Sequence, residues 1–158
     1  MDDSPSVSRA LTAFNVPHRV FRHPGPVLSL EQAAEERGQL PEQVVRSLVF
    51  RVAQDEFVMA LVAGNQQVSW PALRHYLGQS RVSLASEADV LAATGYVRGT
   101  VSPFGLPTPM RIVLDESVLR QEEISIGSGE RNVTVILRVE DLRRALGDAD
   151  AARLTATG

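Results

Sequence analysis

A chain of 158 residues suits one compact domain, and 44% hydrophobic residues supply a core, which excludes wholesale disorder. The absence of cysteine excludes disulfides, thiol catalysis and thiolate metal sites, and a formal charge of −3 excludes a globally basic nucleic-acid binder, so DNA is not expected as a partner. The sixteen Lys and Arg positions are all Arg, so no side-chain amine is present to form a Schiff base.

The opening MDDSPSVSRA is acidic and polar, unlike a secretory signal, and no apolar run approaches the length of a membrane span; a cytoplasmic protein is expected. A first helix is predicted from Ser4 with Pro5 in its first position, placing Val7, Ala10, Leu11 and Phe14 on one face. The run HRVFRH reads as a short strand. Ser29, with Gln32 three residues on, caps a helix that Gly38 ends. Pro41 opens a helical turn. VRSLVFRV and EFVMALVA pair as a hairpin across AQDE. Ser69 caps a helix ending at Gly78, RVSLA is a short strand, and Ser86 caps a helix that Gly95 terminates. MRIVLD, EISIG and NVTVILR are strands, and VEDLRRALG is the last helix. From Asp148 the polar, Ala-rich tail is expected to fray. About six strands and five helices without strict alternation predict a mixed α/β fold around one curled sheet, in a single domain over 1–158.

Three places could carry chemistry. Strand alternation puts Arg46 on one face with Leu48, Phe50 and Val52, and Ser47 with Val49 on the other. Arg46 either snorkels to water from the strand end or clamps an anion or carbonyl at the mouth of an apolar pocket. Gly99 and Pro103 bracket Thr100, Val101 and Ser102 in a G-x-x-x-P loop. That loop is either a plain surface connection or a set of backbone donors for a carbonyl oxygen or developing oxyanion. Gly127, Ser128 and Gly129 form either a plain hairpin turn or a second group of donors, to which Arg131 adds a charge. The histidines show no metal-ligand spacing, and no serine sits in a nucleophile elbow, so neither a metal nor a cofactor is expected.

The segments VVRSLVFRV, TGYVRGTVSPFG and ISIGSGERNVTVILRVEDLRRAL resemble the YbaK family, free-standing relatives of the editing (insertion) domain of bacterial prolyl-tRNA synthetase. The resemblance runs from about residue 4 to residue 146. It implies a mixed α/β fold with a curled sheet and a metal-free aminoacyl-tRNA deacylase that acts in trans on the tRNA 3′ end, with a synthetase as a further partner. Carried over, Gly99, Thr100, Val101, Ser102 and Pro103 face the substrate ester, and Gly127 to Gly129 form the second substrate loop. Ser47 matches a position often held by Thr. The family's Lys is Arg46 here, and a common acidic position is Thr134. The substrate expected is a tRNA mischarged with a small amino acid of the Ala, Ser or Cys type. The two departures motivate a rival reading, a binding module that recognises aminoacyl-tRNA ends or a synthetase without cleaving.

Overall fold

The hairpin at the centre of the molecule forms because two long β-branched and aliphatic runs flank a short polar turn. In the computed structural model, which describes residues 4–147 and 149–156, strand β2 (Val45–Ala53) pairs antiparallel with β3 (Glu56–Ala63), Arg46 opposite Val62 and Ser47 opposite Leu61. β3 is an almost continuous apolar run, buried from Val58 to Ala63, as a strand covered on both faces should be. Its other edge takes β5 (Arg111–Asp115) in parallel. With β4 (Ser83–Leu84) on the far side of β2 and β8 (Asp150–Ala152) beyond β5, the order is β4-β2-β3-β5-β8.

A second sheet holds β1 (Arg19–Arg22), β7 (Val133–Arg138) and β6 (Glu123–Gly127) in the antiparallel order β1-β7-β6. A single parallel bridge, Val44 to Ser125, joins it to the start of β2. The expected curled sheet is therefore divided in two, with eight strands among the described residues rather than six.

The helices follow their punctuation. Ser29, Ser69 and Ser86 accept the backbone N–H three residues ahead at the starts of α2 (Leu30–Arg37), α3 (Trp70–Leu77) and α4 (Glu87–Thr94); Gly38, Gly78 and Gly95 close them in the left-handed conformation. Gln32 completes its cap one residue early, accepting from Leu28 N–H. The first helix, α1 (Ser6–Ala13), begins one residue later than expected because Pro5 is extended, with ψ 155°, and stands at the cap position. Pro41–Gln43 is a 3-10 turn, and two further helices, α5 (Glu116–Leu119) and α6 (Val139–Ala145), flank β6 and β7.

Two cores result. One lies between the sheets and joins Val45, Val49, Met59 and Leu61 to Ile124, Ile126, Val135 and Leu137, with Val7 and Leu11 of α1 and the Val101 and Phe104 side chains packed against it. The other packs Phe50, Val58, Ala60 and Val113 beneath Leu73 and Leu77 of α3. Leu154, fully buried, belongs to this second core. Of the tail expected to fray, residues 149–156 pack back on the fold; Asp148, Thr157 and Gly158 lie outside the described residues. One anchor is the buried carboxylate of Asp115, which accepts Leu154 N–H at 2.7 Å and Thr155 Oγ1 at 3.3 Å; the Leu154 carbonyl in turn accepts Ser69 N–H at 2.8 Å. Among the described residues no helix is long and apolar enough to cross a membrane.

Candidate active site

Immediately after α4 the chain turns into a loop closed by one side chain. Tyr96 is buried, and its hydroxyl donates to the Phe104 carbonyl, tying the ends of 96–104 together. Desolvation raises its phenol pKa, so it stays a donor. Gly99 sits at φ +87°, where a side chain would be strained. Thr100 donates both its N–H, at 3.1 Å, and its hydroxyl, at 2.7 Å, to the Val97 carbonyl. Ser102 Oγ accepts Phe104 N–H at 3.2 Å. The Thr100 hydroxyl donates and the Ser102 oxygen accepts within the loop, and among the described residues neither has a His partner to activate it as a nucleophile. The N–H groups of Gly99, Val101 and Ser102 meet no protein acceptor among the described residues. Ser102 is fully buried and Pro103 beside it is buried, so an unpaired Ser102 donor is costly unless something else takes its hydrogen bond.

The second glycine turn docks on this loop. Gly129 N–H donates to the Thr100 carbonyl at 3.0 Å. Gly127 lies so close beneath it that a Cβ there would stand 2.1 Å from the Val101 carbonyl oxygen. Val7 N–H reaches the Ser128 carbonyl at 3.2 Å, tying α1 to the same place. Ser128 Oγ donates to the Val133 carbonyl at 2.7 Å, which holds the turn. Thr134, opposite Gly127 in the ladder and almost fully buried, donates to the Ile126 carbonyl at 2.8 Å. The structure therefore brings Gly99 to Ser102 together with Gly127, Ser128, Gly129 and Thr134, whereas Arg131 is exposed on the hairpin turn.

Arg46 and Ser47 part company at β2. The Arg46 side chain leaves on the α3 side, in line with Leu48 and Phe50. Its Nε donates to the Gly64 carbonyl at 2.8 Å, and a terminal nitrogen donates to the Gln66 carbonyl. Its clamp is thus closed on the protein's own turn, and partial burial lowers its pKa. Ser47, by alternation with Val45 and Val49, faces the inter-sheet core against which Val101 and Phe104 pack; its Oγ is buried without a hydrogen-bond partner among the described residues. The Gln39 side-chain amide is also buried and unpartnered.

One polar cluster has no counterpart in the sequence reading. Phe21, Thr134 and Gly127 are ladder partners and share a face with Ser125. On that face Arg37, the last residue of α2, donates from a terminal nitrogen to Ser125 Oγ at 2.7 Å and from Nε to His23 Nε2 at 3.0 Å. His23 Nδ1 lies 2.7 Å from a Glu36 carboxylate oxygen, and its ring meets Phe21 edge-on at 4.9 Å. A guanidinium only donates, so the hydrogen bond from Arg37 is accepted by a lone pair on Nε2 of His23, which leaves Nδ1–H to donate to Glu36. Burial pushes the Arg37 pKa down to about 10, against the opposing pull of Glu36. A half-buried cation thus stands beside Ser125, two strand positions from Gly127. No spacing in the sequence signals it, because a strand end and a helix end meet only through the tertiary fold.

A cleft of about 430 Å³ lies at the hairpin turn, lined in part by Asp55, Glu56, Phe57, Met110 and Arg111; no candidate site residue lines it. Among the described residues no cluster of His, Asp and Glu is placed to hold a metal ion.

The aminoacyl-tRNA editing domain family matches residues 24–145. An Escherichia coli K12 protein, the multifunctional Ser/Thr-tRNA deacylase ProXp-y, is 33% identical over 130 residues, covering 80% of this chain and 77% of its own length. A proline–tRNA ligase of Thermosipho melanesiensis is 28% identical over 114 residues, 72% of this chain but 20% of the ligase. A solved structure described as a candidate trans-editing enzyme for prolyl tRNA synthetase superposes with a TM-score of 0.85 at 27% identity, covering 99% of this chain and 100% of that one.

Proposed function

Because the chain belongs to the aminoacyl-tRNA editing domain family, we propose that it is an aminoacyl-tRNA deacylase whose reaction centre is the docked pair of glycine loops. The observation that carries this reading is the set of unaccepted amides on Gly99, Val101 and Ser102, held in place by the Gly129-to-Thr100 hydrogen bond.

An aminoacyl ester is already activated, so no protein nucleophile is needed. Water attacks the carbonyl carbon, the carbonyl oxygen becomes an oxyanion, and preorganised N–H donors stabilise that charge more than they stabilise the ground state. Collapse expels the ribose oxygen, which takes up the proton released by water. The side chains supply position rather than reactivity: Tyr96 fixes the loop through the Phe104 carbonyl.

The substrate carries a small amino acid of the Ala, Ser or Cys type; a synthetase pocket discriminates one methylene by only about 1–3 kcal/mol, and a second, smaller pocket corrects the errors that follow. The E. coli relative is named for Ser and Thr, of which Ser falls within this set. The partner is the 3′ end of an aminoacyl-tRNA, and a synthetase that charges it is the second partner.

The test is deacylation of a panel of mischarged tRNAs by the purified chain. Release of Ala, Ser or Cys above the uncatalysed rate is expected; a panel as stable with the protein as without it overturns the reading. One observation favours a non-cleaving module: the Arg46 guanidinium, at the position of the family's Lys, is engaged by the Gly64 and Gln66 carbonyls. Tight binding of charged tRNA without turnover would select that alternative.

A further inference from the structure

A strand has two edges, and β3 occupies one edge of β2 along its length. The other edge is shared. Near its start it carries the bridge from Val44 to Ser125, beside the glycine loops. At its end it carries β4, with Phe50 opposite Leu84 and Arg51 opposite Ser83. Beside this second contact opens a cleft of about 560 Å³. Three arginines line it: Arg51 of β2, Arg74 of α3 and Arg81 of the connection into β4, together with Gln54, Ser80 and Ser83. No Asp or Glu lines it. Among the described residues none of the three guanidinium groups makes an ion pair; Asp55 and Glu56 lie around the hairpin turn and line the neighbouring cleft.

Three cations gathered without an acid are self-repulsive, which is the less expected in a chain of net charge −3. What relieves the repulsion is an anion of spread-out charge. Guanidinium forks fit phosphate oxygens bidentately, and the hydroxyl and amide groups between them add neutral donors. From Val44 to Arg51 is seven strand steps, about 23 Å at roughly 3.3 Å per residue. That distance corresponds to about seven stacked nucleotides at 3.4 Å each.

We propose that the cleft formed by Arg51, Arg74 and Arg81 grips the phosphodiester backbone of the acceptor end of the aminoacyl-tRNA, upstream of the ester held at the glycine loops. This rests on the deacylase reading above. The cleft reads charge and spacing, not base sequence, so its contribution is to affinity and is salt-dependent.

The experiment compares the parent with the triple variant Arg51→Gln, Arg74→Gln, Arg81→Gln on two substrates: a full-length mischarged tRNA and the same amino acid esterified to adenosine alone. The expected result is a loss of at least tenfold in kcat/KM on the tRNA, carried by KM, with the adenosine ester hydrolysed at the parent's rate. The slope of log kcat/KM against log salt should flatten by about two to three, the value for three lost phosphate contacts. Equal rates on the tRNA, or an equal loss on both substrates in a folded variant, would overturn the proposal. Should the parent cleave neither substrate, the deacylase reading fails separately, and anisotropy with uncharged tRNA then decides: weaker, less salt-sensitive binding by the variant supports the cleft, and identical binding overturns it. Inorganic phosphate that binds the parent as tightly as tRNA does would also overturn it.

Discussion

Gly127 and Val101 approach each other more closely than any other residue would allow. A Cβ at position 127 would stand 2.1 Å from the Val101 carbonyl oxygen and 2.8 Å from that of Thr100. Both obstacles are backbone, so no side-chain rotation relieves the clash. The second glycine turn is therefore a wall of the first loop, and the sequence permits the contact only by omitting a side chain.

The consequence is testable with one methyl group. Gly127→Ala must push the 99–103 loop away by an ångström or more, and misplacement on that scale costs about a hundredfold in turnover. Gly99→Ala makes the contrast: open space surrounds its Cβ, but φ is +87°, so the cost is backbone strain of about 1–2 kcal/mol. The expected pattern is a collapse of turnover in Gly127→Ala out of proportion to its fall in Tm, and in Gly99→Ala a fall in Tm with the smaller kinetic loss. Parental turnover in a folded Gly127→Ala protein would remove the loop pair from the reaction.

Arg46 holds two carbonyls of the turn after β3, at Gly64 and Gln66. Arg46→Ala strands both acceptors, and because the group is only partly buried its stabilising contribution is modest, about 1 kcal/mol. Turnover is expected to fall more than tenfold, since the same turn sets the start of β2 and with it Ser47. Arg46→Lys, which keeps the charge but loses the fork, should fall between parent and Ala. A Tm loss with turnover intact would make Arg46 a structural clamp alone.

The elements were legible where local chemistry decides them. Ser29, Ser69 and Ser86 paired with Gly38, Gly78 and Gly95 mark three helices unaided, and the β2–β3 hairpin follows from its two apolar runs. The G-x-x-x-P loop and the 127–129 turn also stood out as glycine-rich, but that they touch is a property of the fold, invisible in residues 28 positions apart. The division into two sheets was illegible for the same reason: one Val44–Ser125 bridge between distant segments makes the junction. The Arg37–His23–Glu36 cluster left no trace, since an Arg closing a helix and a His after a strand are each ordinary.

The tail is polar in composition, and its anchor lies elsewhere in the chain. Asp115 accepts Ser117 N–H at 3.0 Å, Leu154 N–H at 2.7 Å and Thr155 Oγ1 at 3.3 Å, and is itself 1% exposed. Asp115→Ala leaves the buried Leu154 donor unpaired and opens a void, at a cost of about 3 kcal/mol. A clear fall in Tm and new proteolytic cleavage after residue 145 are expected; an unchanged Tm would show that the β5–β8 ladder and the backbone hydrogen bonds to Ser69 and Gln67 hold the segment without the carboxylate.

Glu36 supplies a pH signature. Its carboxyl pKa is held below the ordinary 4.5, first by the hydrogen bond from Gln32 Nε2 at 2.8 Å and then by that from His23. A carboxylate whose folded pKa lies below its unfolded value binds fewer protons when folded, so the unfolded state gains protons first as the solution acidifies. The stabilisation is complete above the unfolded value of about 4.5 and drains away as the pH falls through the lower, folded one. In Glu36→Gln this source is absent. Urea denaturation between pH 3 and pH 7 should therefore show the parent ahead of the variant by a constant margin above about pH 5.5, with the margin shrinking towards pH 3. A margin that stays constant across the whole range would mean that Glu36 contributes no proton-linked stability, and the hydrogen bonds from Gln32 and His23 would then be geometry without charge preference.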